Sequence, residues 1–477
     1  MLAKLRERLE RAGFDEAGVD RLVRDDGGLG FEDGLAALRL RPVADEPLCV
    51  LVRLFLARES LPLATAAAAL GDVDVHELAG TGLVAVRNGA VRARFALQPF
   101  DGLIVASDRF VSRMRADHVI QIGPATRTLA ALTVRRPVQA ALDLGTGSGV
   151  QAFLTARHGE RVVGLDVNPR ALHLARLNAT LNGVENVEWR LGDLFEPVRD
   201  ERFGLVVANP PFVISPAREL TYRDGGLGGD ALSRDVVTGA ARHLDEGGFA
   251  SILCSWVTDP GGDRSETPRR WLEGSGCDAR VLELSTDDPV TYAIRWNCLP
   301  GRQPAAVATA AEAWLVDYRA RGIEAISTGA IVIRKRSGKN WARFDELALG
   351  TRGDAGPHLE RLFAGQDLLN ALGDEHKLLT VALAHAPGTL LVERRRAGDL
   401  DRARLTVEQG IPLPGRVPLA VAPVLAALDG RRTLADVIEE VARAAGLSAA
   451  ALSAESLPAL GELVARGLLV PGGADRR

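Results

Sequence analysis

An apolar stretch that leads into a glycine-rich loop is the feature that most constrains the fold of this chain. The segment reads Ala141-Leu-Asp-Leu-Gly-Thr-Gly-Ser-Gly-Val150. Its apolar half predicts a buried strand. Its D-x-G-x-G-x-G half predicts a tight turn in which a ligand can lie against backbone N–H groups. The combination indicates an α/β fold with a parallel sheet.

The composition of the loop favours a ligand that lacks a pyrophosphate. A dinucleotide site would have the pattern G-x-G-x-x-G, whose last position falls on residue 150 and requires a small residue, but this residue is Val150. The acid at the end of the strand, Asp143, suits a cationic ligand such as S-adenosylmethionine, because the amino and sulfonium groups of that molecule favour negative surroundings.

Three further strands are predicted downstream, and they lead to Asp166, Asp193 and Asn209. Asp166 follows Asp143 by 23 residues, close to the spacing of about 20 at which such a carboxylate meets ribose hydroxyls. Ligands of open parallel sheets bind beyond the carboxyl ends of the strands, so we expect these four side chains in one crevice. The alternative, that each acid only caps a helix, explains single positions but not the set. The strands are predicted at residues 161–166, 187–191 and 203–208.

The tetrapeptide Asn209-Pro-Pro-Phe212 follows the fourth strand and suits a planar nitrogen. The lone pair of such a nitrogen is delocalised, so a methyl acceptor of this type must be held by its N–H protons. The side-chain oxygen of Asn209 and the carbonyl of Pro210 can accept these protons, and two prolines stiffen the backbone. Phe212 offers a face for stacking. A Pro-Pro turn that merely closes the strand is the alternative.

On these motifs, residues 105 to 335 resemble the class I S-adenosylmethionine-dependent methyltransferases. Within that class they are most similar to the branch with an Asn-Pro-Pro-aromatic signature, which includes HemK-like glutamine methyltransferases, guanine-N2 ribosomal RNA enzymes and adenine-N6 enzymes. The resemblance implies S-adenosyl-L-methionine as cofactor, S-adenosyl-L-homocysteine as product, and catalytic roles for Asn209, Pro210 and Phe212. It implies a cofactor site made of Asp143, Gly145, Thr146, Gly147, Gly149, Asp166, Asn168, Asp193, Leu194 and Asn209.

Two segments are expected to cover the pocket. The glycine-rich stretch Tyr222 to Asp230 resembles the mobile loop of HemK-like enzymes, so its Tyr222 and Arg223 are candidate lid or substrate residues. In relatives, the segment before the glycine loop also covers the cofactor. The candidates there are Arg109, Arg113, Thr126 and Thr128; a solvated linker is the equally weighted alternative.

The predicted fold is α/β, with a seven-stranded Rossmann-like methyltransferase sheet between small winged-helix-like N- and C-terminal domains. Residues 1–104 form the first domain, residues 105–338 the catalytic domain, and residues 339–477 an α+β domain with a winged-helix or PqqD-like block at 417–471. An insertion at about 286–324, which contains Trp296, Trp314 and Tyr318, is expected above the active-site face.

The flanking domains are assigned from local patterns. Alternating residues on either side of Asn88-Gly89 predict a hairpin, and helices followed by a hairpin are typical of a winged helix. We favour a bracing or substrate-presenting role for it over DNA binding. The C-terminal block resembles units that grip peptides, which favours a peptide acceptor.

Composition sets the outer limits. The 477 residues are 47% hydrophobic and 25% charged, so several globular domains are expected, and the net charge of −4 does not indicate a protein that is basic overall. No apolar run reaches the length of a membrane span and the N-terminus does not read as a signal peptide, which predicts a cytoplasmic protein. The four cysteines and eight histidines lack metal-site spacings, so no metal is predicted.

Three functions remain open. The first is N-methylation of a protein or peptide, on a glutamine side-chain amide or an amine. The second is methylation of an exocyclic amine of rRNA or tRNA, with the base stacked on Phe212. The third is a scaffold without activity, which the intact loop and Asn209 disfavour. A small-molecule acceptor is a further alternative to the favoured protein or peptide. The sequence leaves the acceptor, the number of methyl groups and the oligomeric state open.

Overall fold

The computed structural model describes residues 1–24, 31–40, 46–109, 114–216, 222–224, 229–299, 301–347, 350–393, 402–413 and 415–473. The chain divides into two compact units. The first contains residues 1–129, 137–277 and 286–340, and the second contains residues 130–136, 278–285 and 341–477. The chain therefore passes between the units more than once. The division into three consecutive domains stays a prediction.

The N-terminal part of the first unit consists of helices followed by short strands. A π-helical segment at Val52–Leu56 continues the fourth helix. The elements are α1 (Leu2–Arg11), α2 (Glu16–Arg24), α3 (Phe31–Leu40), α4 (Pro47–Leu51), β1 (Leu61–Pro62), α5 (Leu63–Leu70), α6 (Val75–Gly80), β2 (Val84–Arg87), β3 (Ala90–Ala93), β4 (Ala96–Phe100) and β5 (Leu103–Ser107).

The predicted hairpin is present as β2 and β3, which pair antiparallel. Asn88 and Gly89 connect them with φ angles of 49° and 69°, the left-handed conformation that a two-residue hairpin turn requires. β1 adds to the free side of β3, so the three strands lie in the order β1-β3-β2 with α5 and α6 between the first and second along the chain. β4 and β5 form a separate two-stranded sheet.

Strands alternate with helices over residues 124–335, most of which belong to the first unit. The elements in chain order are α7 (Pro124–Ala131), β6 (Val138–Leu144), α8 (Val150–Ala156), β7 (Gly159–Asp166), α9 (Pro169–Asn182), β8 (Val187–Leu191), β9 (Phe203–Ala208), α10 (Ala231–His243), β10 (Leu244–Thr258), α11 (Glu266–Leu272), β11 (Cys277–Asp287), α12 (Pro289–Asn297), α13 (Pro304–Ala320) and β12 (Ala325–Lys335).

The main sheet of this unit is mixed. β8, β7, β6, β9 and β10 are neighbours in that order and run parallel, and β12 pairs antiparallel with β10. The carboxyl ends of β6, β7, β8 and β9 therefore meet at one edge, as the sequence predicts. The order reverses direction between β6 and β9, which is the position where ligands bind in open α/β sheets.

The helices of the N-terminal part share a core with the sheet unit. Leu5 and Leu9 of α1 are fully buried in the same apolar cluster as Leu174 of α9. Arg6 donates hydrogen bonds to the side-chain oxygen of Asn182, at the end of α9, and to the main-chain oxygen of Gly102 at 2.7 Å. The N-terminal helices are thus fixed against the back of α9 rather than joined to it by a linker.

The second unit consists of β13 (Ala342–Glu346), α14 (Gly356–Leu372), β14 (Leu383–His385), β15 (Thr389–Glu393), β16 (Arg402–Val407), β17 (Gly415–Pro418), α15 (Ala422–Ala427), α16 (Leu434–Ala445), α17 (Ala449–Ala465) and β18 (Leu469–Pro471). β15, β16 and β17 form one antiparallel sheet and β14 pairs with β18. Thr433 and Asp436 form a capping box at the start of α16.

The seven-strand prediction omits a strand. β11 pairs in parallel with β13, which lies beyond the predicted end of the catalytic domain at residue 338, and residues 278–285 of β11 belong to the second unit. Arg280 explains the local arrangement in that unit: it is fully buried, pairs with Asp345 of β13 at 2.8 Å and donates to the main-chain oxygen of Ala465 at 2.5 Å. The local sequence at 342–346 gives no sign of this pairing.

No helix in the described ranges is both long and apolar enough to cross a membrane. The same ranges contain no group of three or more His, Cys, Asp or Glu side chains arranged to hold a metal ion.

Candidate active site

The glycine loop joins β6 to α8 in a conformation that needs its glycines. Gly145, Gly147 and Gly149 have φ angles of 74°, 55° and 91°. Space is also limiting at Gly149, where a Cβ atom would lie 2.5 Å from the ring of Phe153 and 3.1 Å from that of Trp189. The loop is therefore held flat against the start of α8, and its backbone faces the crevice at the sheet edge.

Asp143 fastens this loop to the helix that follows. Its Oδ2 atom accepts hydrogen bonds from the hydroxyl of Thr146 at 2.5 Å and from the main-chain N–H of Ala152 at 2.9 Å. The side chain is almost completely buried, and this burial raises its pKa to about 7. Asp143 also borders the cavity at the edge of the sheet. Its hydrogen bonds to Thr146 and Ala152 shape the loop.

Asp166 links the end of β7 to the glycine loop. Its Oδ2 accepts from the N–H of Gly147 and its Oδ1 from the N–H of Asn168, both at 2.8 Å. Burial raises the pKa of Asp166. A carboxylate has about four acceptor sites, and the main-chain N–H of Val167 also donates to this group, so at least one site remains for a ligand hydroxyl.

The other predicted cofactor residues lie along the same wall. Asn168 caps α9: its side-chain oxygen accepts from the N–H of Arg170 at 3.0 Å, and its amide donates to the main-chain oxygen of Asp117 at 3.1 Å. Asp193 and Leu194 follow β8, and Leu194 has a φ of 46°, a conformation uncommon for a leucine. All three line the cavity.

Asn209, Pro210 and Phe212 line the cavity from the end of β9. The cavity has a volume of about 310 Å³, and it is also bordered by the glycine loop, Asp166 and Asp193. The two loops lie close together, since a Cβ atom on Gly145 would be 3.8 Å from the main-chain oxygen of Asn209. The structure thus brings together the two motifs that the sequence singled out.

The predicted insertion holds the chain behind the tetrapeptide. The hydroxyl of Tyr292 in α12 accepts a hydrogen bond from the N–H of Ile214 at 3.1 Å, and the hydroxyl of Tyr318 in α13 donates to the oxygen of Ile214 at 2.5 Å. Trp296 of α12 lines the cavity and meets Phe212 edge to face, with ring centroids 6.4 Å apart. Trp314 is buried in the same cluster.

The candidate lid residues have different surroundings. Tyr222 lines the cavity, where its ring lies 5.6 Å from the imidazole of His118. The guanidinium of Arg223, which also borders the cavity, is buried and paired with the carboxylate of the adjacent Asp224 at 2.7 Å. It also lies over the ring of Trp314 at 5.6 Å. Arg223 is thus engaged in a local ion pair.

The segment before the glycine loop is only partly described. Thr126 lines the cavity and accepts a hydrogen bond on its main-chain oxygen from Gln151 at 2.9 Å. Thr128 lies in α7 and is not among the residues found to line the cavity in the described part of the chain. Arg109 donates to the main-chain oxygen of Ala57 at 3.1 Å. Arg113 lies outside the described residues.

Sequence reasoning missed several cavity residues, among them His118, Gln151 and Val167. Val167 follows Asp166 directly and is 54% exposed, an unusual state for an apolar side chain beside a buried carboxylate. Its position after the second strand acid is the one signal that could have identified it. No local pattern marks His118, which reaches the cavity because Asp108 accepts the N–H of Val119 at 2.9 Å.

Comparison with known proteins assigns residues 120–255 to the family described as methyltransferase small domain, and residues 11–94 to a domain of unknown function, DUF7059. A protein of Xylella fastidiosa named release factor glutamine methyltransferase is 32% identical over 204 residues, which are 40% of this chain and 70% of that protein. A protein of Bradyrhizobium diazoefficiens named ribosomal protein uL3 glutamine methyltransferase is 31% identical over 171 residues, or 32% of this chain and 52% of its own length.

Among solved structures, the ribosomal protein L11 methylase of Lactobacillus delbrueckii subsp. bulgaricus aligns with 45% of this chain and 81% of its own, at 19% identity and a TM-score of 0.26.

Proposed function

This chain belongs to the family of the release factor glutamine methyltransferases, and we propose that it transfers a methyl group from S-adenosylmethionine to the side-chain amide nitrogen of a glutamine in a protein. The observation that carries the proposal is the position of Asn209, Pro210 and Phe212, which line one cavity with the glycine loop and Asp166. A methyl donor and a planar nitrogen bound there would be neighbours.

The residues present fit the proposed cofactor. The cavity volume of about 310 Å³ is in the range of small-molecule sites. The loop from Gly145 to Gly149 would lie along the amino acid part, and Asp166 would accept from the ribose hydroxyls. Val167 offers an exposed apolar surface on which the adenine ring would pack. Asp193 lines the same cavity and would accept a hydrogen bond from the adenine amino group. When bound, the cofactor supplies an electrophilic methyl group on a sulfonium.

The acceptor side needs orientation rather than a strong base. The oxygens of Asn209 and Pro210 would accept the two N–H groups of the amide, and Phe212 would pack on its plane. These contacts would aim the nitrogen lone pair at the electrophilic methyl group that the cofactor would supply, and the amide proton that the nitrogen loses on methylation would pass to water. Holding the atoms in this geometry can supply up to about 7 to 11 kcal/mol of the reduction in barrier.

We further propose roles for the flanking parts. The strand order β1-β3-β2, with α5 and α6 between β1 and β2, supports a winged-helix assignment for the N-terminal part. The core that α1 shares with α9 supports a bracing role for its helices. The capped helix α16 and the helix α17 support the winged-helix or PqqD-like assignment of residues 417–471, with a peptide-holding role. A cytoplasmic location is part of the proposal.

The experiment is transfer of isotopically labelled methyl from S-adenosylmethionine into lysate of the source organism, separated into protein, RNA and small molecules. Asn209→Ala is the blank. Asn186→Ala is the matched control. The side-chain amide of Asn186 donates hydrogen bonds to the main-chain oxygens of Ala156 and Gly159. Fragment masses of the labelled peptide then identify the modified residue.

Label on a protein glutamine that disappears in Asn209→Ala and persists in Asn186→Ala supports the proposal. Label in RNA that depends on Asn209 would replace the acceptor by an exocyclic base amine. Label in the small-molecule fraction, or the same label with and without Asn209, contradicts the proposal.

A further inference from the structure

The hairpin of β2 and β3 and the residue that follows it carry three exposed arginines. In the register of the hairpin Ala85 lies opposite Arg92, and Arg87 lies opposite Ala90. Directly opposed residues of an antiparallel pair point to the same side, and side chains two positions apart along a strand do so as well. Arg87 and Arg92 therefore share a face, and Arg94 directly follows β3. All three arginines are exposed, and together they form the arginine face.

The other face of the hairpin anchors it to the protein. Val84, Val91 and Ala93 are buried in the apolar core of the N-terminal part. β1 pairs with β3 on the far side, so β3 is bonded along both edges. The three arginines are thus presented by a fixed ribbon of backbone, which reduces the entropy lost when they bind a partner.

The arginine face has no acidic residues next to it in the sequence. Residues 81–100 contain three arginines and no aspartate or glutamate, whereas the whole chain has a net charge of −4. Arg53, in contrast, is buried and paired with the carboxylate of Glu59 at 2.7 Å. The hairpin is therefore a local concentration of positive charge on an acidic protein.

Two more arginines extend this charge. Arg92 donates to the main-chain oxygen of Arg58 at 3.3 Å, and Arg58 donates to that of Ala93 at 3.3 Å. Burial lowers the pKa of Arg58, and the nearby charges of Arg92 and Arg109 lower it further, although Asp108 acts in the opposite direction. A bound anion would reduce this repulsion between Arg58, Arg92 and Arg109.

We propose that this arginine face binds the phosphate backbone of RNA. Guanidinium groups match phosphate oxygens in bidentate geometry. The arginine face is carried by a β-hairpin, and residues 81–100 contain no helix that could enter a groove. Such a surface suits the wide, shallow minor groove of an A-form duplex and the phosphates at its edges.

The inference does not depend on the proposed methyl acceptor, so its test uses binding alone. The full-length protein is titrated into a labelled short RNA duplex, and fluorescence anisotropy is followed over a series of salt concentrations. The test variant carries Arg87→Glu, Arg92→Glu and Arg94→Glu. The matched control carries Arg176→Glu, Arg199→Glu and Arg416→Glu, three exposed arginines outside residues 81–100, and has the same net charge.

We expect the hairpin variant to bind RNA at least about tenfold more weakly, and its slope of log affinity against log salt to be smaller by about 2 to 3, one counterion release for each lost contact. The control variant should retain most of the affinity and slope. A second variant with lysine at the three hairpin positions should bind within a few-fold of the wild type, which also excludes misfolding as the cause.

Equal losses in the hairpin and control variants would reduce the effect to net charge and overturn the proposal. It is also overturned if the wild type does not bind RNA. Stronger binding to polyglutamate or to DNA of the same sequence than to the RNA duplex would identify another partner and contradict it too.

Discussion

Tyr318 donates its hydroxyl hydrogen bond to the main-chain oxygen of Ile214 at 2.5 Å, two residues beyond Phe212. Tyr292 accepts from the N–H of the same residue. Burial raises the pKa of both tyrosines, that of Tyr292 to about 12, so both hydroxyls stay protonated at physiological pH. The insertion thus holds both polar groups of one peptide residue next to the acceptor motif.

Replacing Tyr318 by Phe should lower the rate of methyl transfer about 10- to 100-fold, because the chain that positions Phe212 loses one of its two fixed points. The buried oxygen of Ile214 also loses its partner, which should cost about 1 to 3 kcal/mol of the free energy of unfolding. Single-turnover transfer measures the first effect, and calorimetry with S-adenosylmethionine should show nearly unchanged affinity.

The control for Tyr318→Phe is Thr309→Val on the same helix. The hydroxyl that this control removes donates to the main-chain oxygen of Ala305 within the helix. Loss of cofactor affinity in parallel with the rate would show that Tyr318 supports the fold in general. In that case it would have no specific effect on the acceptor side.

Replacing Gly149 by Ala should destabilise the protein and abolish cofactor binding. The new Cβ atom would lie 2.5 Å from the ring of Phe153, and the residue would have to keep a φ of 91°. Left-handed backbone costs about 1 to 2 kcal/mol and overpacking about 1 to 3 kcal/mol more. Chemical denaturation measures the loss.

Gly183 separates these two causes. It caps α9 with a φ of 64°, but a Cβ atom there meets nothing within 4 Å. Gly183→Ala should therefore lose only about 1 to 2 kcal/mol and keep its cofactor affinity. Equal losses in the two variants would mean that the contact with Phe153 relaxes easily.

The third prediction concerns pH and Asp143. Burial raises the pKa of this carboxyl from 3.8 to about 7. A group whose pKa is higher in the folded state stabilises that state fully below its unfolded pKa, and the contribution is lost as the pH rises through the folded pKa. The wild type should therefore lose stability between about pH 4 and about pH 7 from this group.

Asp143→Asn cannot titrate, and its amide oxygen can still accept from Thr146 or Ala152. The midpoint of thermal unfolding, followed by circular dichroism across this pH window, should fall less in the variant than in the wild type. Parallel pH profiles for the two proteins would show that Asp143 is already ionised throughout.

Local patterns predicted the part of the fold that local chemistry determines. β8 and β9 have the predicted bounds, and the turn at Asn88 and Gly89 has the predicted conformation. In each case the signal lies within about ten residues: apolar runs, a strand-end acid, or two residues that tolerate positive φ. The two motifs of the cavity belong to the same class, since parallel strands necessarily bring their carboxyl ends together.

Contacts between distant residues could not be predicted in this way. Tyr292 and Tyr318 meet Ile214 across 78 and 104 residues, and nothing in their own neighbourhood indicates that their hydroxyls bond there. Arg223 shows the opposite difference between sequence and structure. Its glycine-rich surroundings in the sequence suggest a free cation, but its side chain is paired with that of the buried neighbour Asp224. β13 was missed for the same reason, since its partner lies 63 residues earlier at Ala279.

The core that α1 shares with α9 has an evolutionary consequence. Leu174, which lies on the outer side of the methyltransferase sheet, is fully buried in the same cluster as Leu5 and Leu9. A gene that lost the first hundred codons would leave such side chains of α9 in water, and a gene that gained them would need a matching α9. The N-terminal helices and α9 are therefore not interchangeable modules, because a substitution on one side of this core has to be accommodated by the other.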